Sequence, residues 1–213
     1  NLNVAGNIYT RIMNPTTAVL EARVAALEGG IAGLALASGM AAITYTVQTL
    51  AQAGDNIIAT QTLYGGTYNL FAHTLPKQGI EVRFVDPNRP QDIAGLVDQN
   101  TRLVYCESIG NPAVNVVDIP AFAEAAHAHG VPLVVANTVP APLLCQPLAL
   151  GADIVVQSLT KYIGGHGTSI GGAIIDGGRF DWGRHAERFP RLTTPDASYH
   201  GVNYHEQFGA AAF

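Results

Sequence analysis

Chemistry concentrates in one stretch, Ser158-Leu159-Thr160-Lys161-Tyr162-Ile163-Gly164-Gly165-His166-Gly167. A hydroxyl residue stands immediately before a lysine, another lies three before it, and paired glycines follow. A lysine amine forms a Schiff base with a carbonyl once desolvation or a neighbouring cation favours its neutral form. The hydroxyls of Ser158 and Thr160 can donate to phosphate oxygens, and glycines let the backbone approach a flat ligand. Phosphate donors within one turn of such a lysine point to a phosphorylated aldehyde, of which pyridoxal 5'-phosphate is the common one. The plain alternative is a solvated surface lysine. Lys77, the other lysine of the chain, lacks this setting.

A lysine with this task needs a rigid frame. The apolar run 152–156 reads as a short buried strand that delivers the chain to it. Far upstream, strand-like residues 34–37 turn through Ser38-Gly39-Met40 into a helix running to about Ala51. Strand, small-residue turn and helix amino terminus together collect anions, because free amides and the helix dipole converge there. A tight turn that merely needs glycine competes with that reading, but beside the lysine segment the phosphate reading prevails. Further strands are expected at 56–60, 81–85, 102–107, 131–136 and 170–176, with a short helix near 91–96. Tyr64, beside Gly65 and Gly66, is either a packed surface aromatic or a plate for a planar ring. Asn111 and Asn137-Thr138 fall where strands end. Thr16 or Thr17 is expected to cap a helix reaching Glu28, with Val19, Leu20, Val24 and Leu27 on one face and Gly29-Gly30 as its stop. Asp118 should cap a helix through His129 that Gly130 closes. His127 and His129, two apart, do not share a helix face and read as surface residues rather than metal ligands. Strands alternating with helices predict a mostly parallel sheet covered on both faces, with ligand chemistry at the carboxyl ends of the strands.

Composition agrees. The chain has 213 residues, 48% hydrophobic and only 13% charged, which suits a buried-strand α/β domain and argues against disorder. A net charge of −5 with no basic run argues against nucleic acid as a partner. The longest apolar runs are strand-sized or interrupted, too short for a membrane span. The opening residues do not read as a secretory signal, and Cys106 and Cys145 read as reduced core thiols of a cytoplasmic protein. The polar, aromatic-rich tail from Arg179 onward is expected to lead toward a further domain.

The lysine segment resembles that of the pyridoxal-phosphate enzymes of cysteine and methionine metabolism. Its longer form, Ser-Leu-Thr-Lys-Tyr-Ile-Gly-Gly-His-Gly-Thr-Ser-Ile-Gly-Gly over 158–172, looks most like the O-acetylhomoserine sulfhydrylase branch. The resemblance covers 7–208. It implies a three-layer αβα fold, the large domain of a fold-type I, aminotransferase-like enzyme, with 1–16 as part of an amino-terminal arm and 17–213 as the cofactor-binding domain. A carboxy-terminal small domain would lie outside the chain.

Carried over residue by residue, the resemblance makes Lys161 the Schiff-base lysine. Gly39 and Met40 would give amides to the phosphate, and Ser158 and Thr160 hydroxyls. Tyr64 would stack on the ring and assist proton transfers, and Asn111 would sit by the phenolic oxygen. Tyr9 and Arg11 match a Tyr-x-Arg pair that reaches into a neighbouring subunit's site, implying a homo-oligomer, a dimer of dimers. The implied reaction is γ-replacement on O-acetylhomoserine by sulfide or a thiol, giving homocysteine or methionine; a γ-lyase or a cystathionine-forming relative would use the same residues. One departure stands out. The family places an acid two before Thr138, facing the pyridine nitrogen, where this chain has Ala136. Losing that ion pair would weaken the ring as an electron sink by roughly two decades or more in rate, so a weakly active or inactive cofactor-binding homologue is the alternative.

Overall fold

The computed structural model describes residues 6–213; of the expected arm, residues 1–5 lie outside the described residues. Helix α1 (Pro15–Glu28) opens on Asn14, whose side-chain oxygen accepts from the amides of Thr16 and Thr17 at 2.9 and 3.2 Å. The cap is therefore Asn14, not a threonine. Pro15 needs no donor at the first helical position, and the asparagine reaches the amides that follow. Gly29 ends the helix in the left-handed region at φ 77°, as its sequence suggests. Val19, Leu20 and Leu27 stay exposed and only Val24, Ala25 and Glu28 are buried, so the expected apolar face is turned largely outward.

Strand β1 (Ala32–Leu36) leads to α2 (Gly39–Leu50), where Ser38 Oγ accepts from the Ala41 amide at 3.0 Å. Then come β2 (Asn56–Thr60), α3 (Gly65–Asn69), β3 (Glu81–Val85), β4 (Thr101–Glu107), α4 (Ile119–His127), β5 (Leu133–Ala136), β6 (Ile154–Ser158) and β7 (Gly172–Asp176). The short helix expected near 91–96 is a tight 3₁₀ stretch, Pro90–Gly95. Helix α4 is capped by Asp118 but stops at His127, two residues earlier than expected. The His127 ring, 40% exposed, pairs with Asp153 at 2.7 Å, and the same carboxylate accepts from Leu133 N. His127 is thus a surface residue with a structural partner, and that hydrogen bond raises its pKa against a smaller effect of burial.

Among the described residues, seven strands form one sheet in the order β1-β7-β6-β5-β4-β2-β3. From β3 through β6 neighbours run parallel, whereas β7 is antiparallel to both β6 and β1. The reason lies in the β6–β7 connection. It is the lysine-bearing loop rather than a crossover helix, so the chain returns beside β6 in the reverse direction. Apolar residues on the two sheet faces build two cores. One, around Ile57, Leu103, Tyr105, Val134 and Ile154, packs against α2; the other, around Ile58, Val104, Val135 and Ile175, packs against α1 and α4. That is a three-layer αβα arrangement with a mostly parallel sheet.

The tail packs on the domain, and one cysteine is less buried than expected. The tail beyond Arg179 folds back onto the domain: Trp182 and Phe189 are buried with centroids 5.0 Å apart, edge to face, and Arg188 Nη1 donates to the Thr101 carbonyl at 2.6 Å. Burying those large rings outweighs leaving the tail solvated. Of the two unpaired cysteines, Cys106 is buried in β4 but Cys145 is only partly covered. Among the described residues, no helix is long and apolar enough to cross a membrane.

Candidate active site

Glu107, Ala136 and Ser158 are the last residues of β4, β5 and β6, so three adjacent parallel strands end on one edge. A cleft of about 460 Å³ opens there. It gathers Gly39, Met40, Tyr64, Asn111, Ala136, Thr138, Ser158, Thr160 and Lys161, nine of the eleven residues singled out from the sequence. Carboxyl edges of parallel strands collect such sites because the turns leaving them are free to vary while the sheet fixes their origins.

The amino terminus of α2 points its first amides into this cleft. The first intrahelical bond runs from Ala42 N to Ser38 O, and Ser38 Oγ takes the Ala41 amide, so the amides of Gly39 and Met40 have no partner among the described residues. Glycine is required at 39: a Cβ there would lie 2.7 Å from Ser158 Cβ and 3.0 Å from Ser158 Cα. The close approach brings the Ser158 hydroxyl, unpartnered among the described residues, beside those amides. Two free amides, a free hydroxyl and the positive end of a helix dipole make a donor set for a phosphate. The donors present fit the phosphate of pyridoxal 5'-phosphate.

Lys161 follows in the turn after β6. Its amide donates to the Ser158 carbonyl at 3.2 Å and its carbonyl accepts from Gly165 at 2.8 Å, so the loop is pinned while the side chain stays exposed in the cleft. It forms no ion pair among the described residues. Thr160 is more committed than its sequence position suggests. Its hydroxyl donates to the Gly171 carbonyl at 3.2 Å and accepts from the Gly171 amide at 3.1 Å, closing the base of the lysine loop. Thr138 Oγ1 accepts from Ser158 N at 3.0 Å, which ties β5 to β6.

Tyr64 stands at the mouth, 48% exposed, its ring against Gly66, where a Cβ would come 2.7 Å from the ring. The exposed ring leaves the planar-plate reading intact. Tyr9 and Arg11 are elsewhere: both are exposed and outside the cleft, with the guanidinium 5.2 Å from the Tyr9 ring centre.

Two carboxyl groups went unnoticed in the sequence. Glu107 Oε1 accepts from Tyr64 N at 2.8 Å and its carboxylate also takes the Asn111 amide, so one buried side chain sets both cleft loops. Burial pushes its pKa up to about 7, against the opposing effect of those amides. Glu28, at the end of α1, lies beneath the floor. It accepts from Gln157 Nε2 at 2.5 Å and Asn137 Nδ2 at 3.1 Å, and burial raises its pKa as well. The signal for Glu107 was a carboxylate ending an apolar strand run on the ligand-bearing edge; Glu28 gave none, because its partners are more than a hundred residues away. Among the described residues, no cluster of three or more His, Cys, Asp or Glu could hold a metal ion.

Comparison with known proteins agrees with this geometry. A family model described as Cys/Met metabolism PLP-dependent enzyme matches residues 1–203. The chain is 55% identical to an O-acetyl-L-homoserine sulfhydrylase of Leptospira meyeri over 204 residues, 96% of this chain and 46% of that one. It is 53% identical to a homocysteine/cysteine synthase of Kluyveromyces lactis, over all of this chain and 48% of the relative. A Campylobacter jejuni structure, provisionally assigned as an O-acetylhomoserine (thiol)-lyase and carrying an N'-pyridoxyl-lysine-5'-monophosphate, superposes with a TM-score of 0.92 at 42% identity, over 95% of this chain and 50% of that one. The chain spans about half the length of the curated relatives it matches. It belongs to the family of pyridoxal-phosphate-dependent enzymes of cysteine and methionine metabolism.

Proposed function

We propose that this cleft binds pyridoxal 5'-phosphate and that the protein converts O-acetylhomoserine and sulfide, or a thiol, into homocysteine, or methionine, and acetate. The observation that carries the reading is the Lys161 amine sharing one cleft with donors at the α2 terminus that have no partner among the described residues and fit a phosphate. When bound, the cofactor supplies an electron sink for bonds broken beside the substrate's amino group. Gly39 N, Met40 N and Ser158 Oγ hold the phosphate. The Tyr64 ring covers the flat ligand, Asn111 sits by its phenolic oxygen, and Thr138 and Thr160 keep Ser158 and the lysine loop in place. Lys161 Nζ takes and returns the substrate protons, with the Tyr64 hydroxyl assisting. Across the γ-replacement the carbon–oxygen bond to acetate breaks, a carbon–sulfur bond forms, and the sulfide proton balances the departing acetate.

The relatives from Leptospira meyeri and Kluyveromyces lactis support the sulfhydrylase reading over γ-elimination or cystathionine formation. The exposure of Tyr9 and Arg11 outside the cleft supports their service to a neighbouring subunit in a homo-oligomer, a dimer of dimers. Residues 1–16 then act as an arm and 17–213 as the cofactor-binding domain of a cytoplasmic enzyme. Ala136 favours a second reading, a cofactor-binding homologue of low activity. Mixing the protein with pyridoxal phosphate should give a visible absorbance band that survives desalting. Adding O-acetylhomoserine and sulfide should then release homocysteine and acetate in equal amounts. Absence of the band contradicts the cofactor reading, and a stable band without turnover leaves only the second one.

A further inference from the structure

Ala136 leaves the expected acid position empty, but the strand next to it does not. In the parallel pairing of β4 with β5, Glu107 stands opposite Ala136. Paired residues on neighbouring strands point to the same face, about 4.8 Å apart, and both line the cleft. The two strand ends are locked in this register, because the Ala136 carbonyl accepts from Ser108 N at 3.0 Å and from Ser108 Oγ at 3.2 Å. Other buried carboxyl groups are poorly placed. Asp176 ends β7 and Asp153 precedes β6, both at the opposite edge of the sheet, and Glu28 is spent on Asn137 and Gln157 beneath the floor. Among the described residues, Glu107 is the one carboxyl group lining the cleft.

We infer that Glu107 takes over, from one strand away, the acidic role that Ala136 cannot fill, facing the ring nitrogen of the heteroaromatic cofactor. The inference rests on the cofactor reading above. Alanine at 136 puts only a methyl group beside the glutamate, whose carboxylate is held by the backbone amides of Tyr64 and Asn111. Those amides favour the ionised form, which a protonated ring nitrogen would favour further. The other titratable groups lining the cleft are Tyr64, Lys161 and Tyr162. Lys161 would add to the pull toward ionisation whenever its amine is protonated.

A purely structural Glu107 would steady the two loops and treat any ligand of the same shape alike. An acid aimed at the ring nitrogen would not. The test compares binding of pyridoxal phosphate with that of an analogue carrying carbon in place of the ring nitrogen. Both are titrated into the wild-type protein, Glu107→Gln, and Glu107→Gln combined with Ala136→Asp. Wild type should prefer the nitrogen-bearing ligand by about ten- to hundredfold, the size of a hydrogen bond to a charged group. Glu107→Gln should reduce the preference to within about twofold, and Ala136→Asp should restore it. A preference that Glu107→Gln leaves unchanged, or that a folded double variant fails to recover, overturns the inference. Wild-type protein that binds both ligands equally overturns it while sparing the cofactor reading; protein that binds neither overturns both.

Discussion

Glu107 is the residue on which the cleft turns, because its carboxyl group fixes the loops bearing Tyr64 and Asn111 from a buried position. Holding a carboxyl group there has a consequence for stability. In the unfolded chain a glutamate titrates near 4.3, whereas in the cofactor-free fold Glu107 titrates at about 7. The folded state therefore keeps a proton that the unfolded state gives up. The stability this brings is full below about pH 4 and is lost as pH rises through 7. The whole effect is worth roughly 4 kcal/mol. Glu107→Gln removes the titration, so without cofactor the variant's melting temperature should gain on wild type between pH 5 and pH 8. A difference that does not vary with pH would show that Glu107 is ionised throughout. Lys161, Tyr64, Gly39 and Ser158 were legible in the sequence because each sits beside a glycine or hydroxyl with a local reason to be there. Glu107 gave only the signal of a carboxylate ending an apolar strand, since its partners come from a loop more than forty residues away and from the turn that follows it.

At the scale of elements, the site depends on α2 pressing its amino terminus against the end of β6. Gly39 makes that possible, and Gly39→Ala would drive a methyl group into Ser158 Cα and Cβ. The variant should lose on the order of 1–3 kcal/mol of stability, the usual cost of overpacking, and about tenfold in affinity for pyridoxal phosphate as the amides shift away. Gly65→Ala is the control, because a Cβ there meets nothing within 4 Å. Equal effects from the two substitutions would mean that the contact between α2 and β6 does not shape the site. Strand positions were read well from apolar runs, with β2 and β3 falling where expected. The direction of β7 was not legible, since an apolar strand looks the same in either orientation and only the course of residues 159–171 decides it. The exposed face of α1 escaped for a related reason, since local spacing does not reveal what will cover a surface; the Asn14 cap was legible from Pro15, which fits the first helical position.

For the molecule as a whole, the sheet brings together residues separated by more than a hundred positions, from Gly39 to Lys161, in one cleft. Tyr9 and Arg11, both exposed, remain outside it. The folded tail, anchored by Trp182, Phe189 and Arg188, covers the sheet face on which α2 lies and bonds to the start of β4, the end away from the cleft. Aromatic content marked the tail as unusual, but whether those rings pack at home or elsewhere depends on the space the sheet leaves. The central claim is that Lys161 is the residue that reacts with the cofactor's aldehyde. Loading the protein with pyridoxal phosphate, reducing it with borohydride and mapping the peptides by mass spectrometry tests that directly. The pyridoxyl label should appear on the peptide bearing Lys161 and vanish in Lys161→Ala. Label on Lys77, or label that persists in Lys161→Ala, would contradict the account.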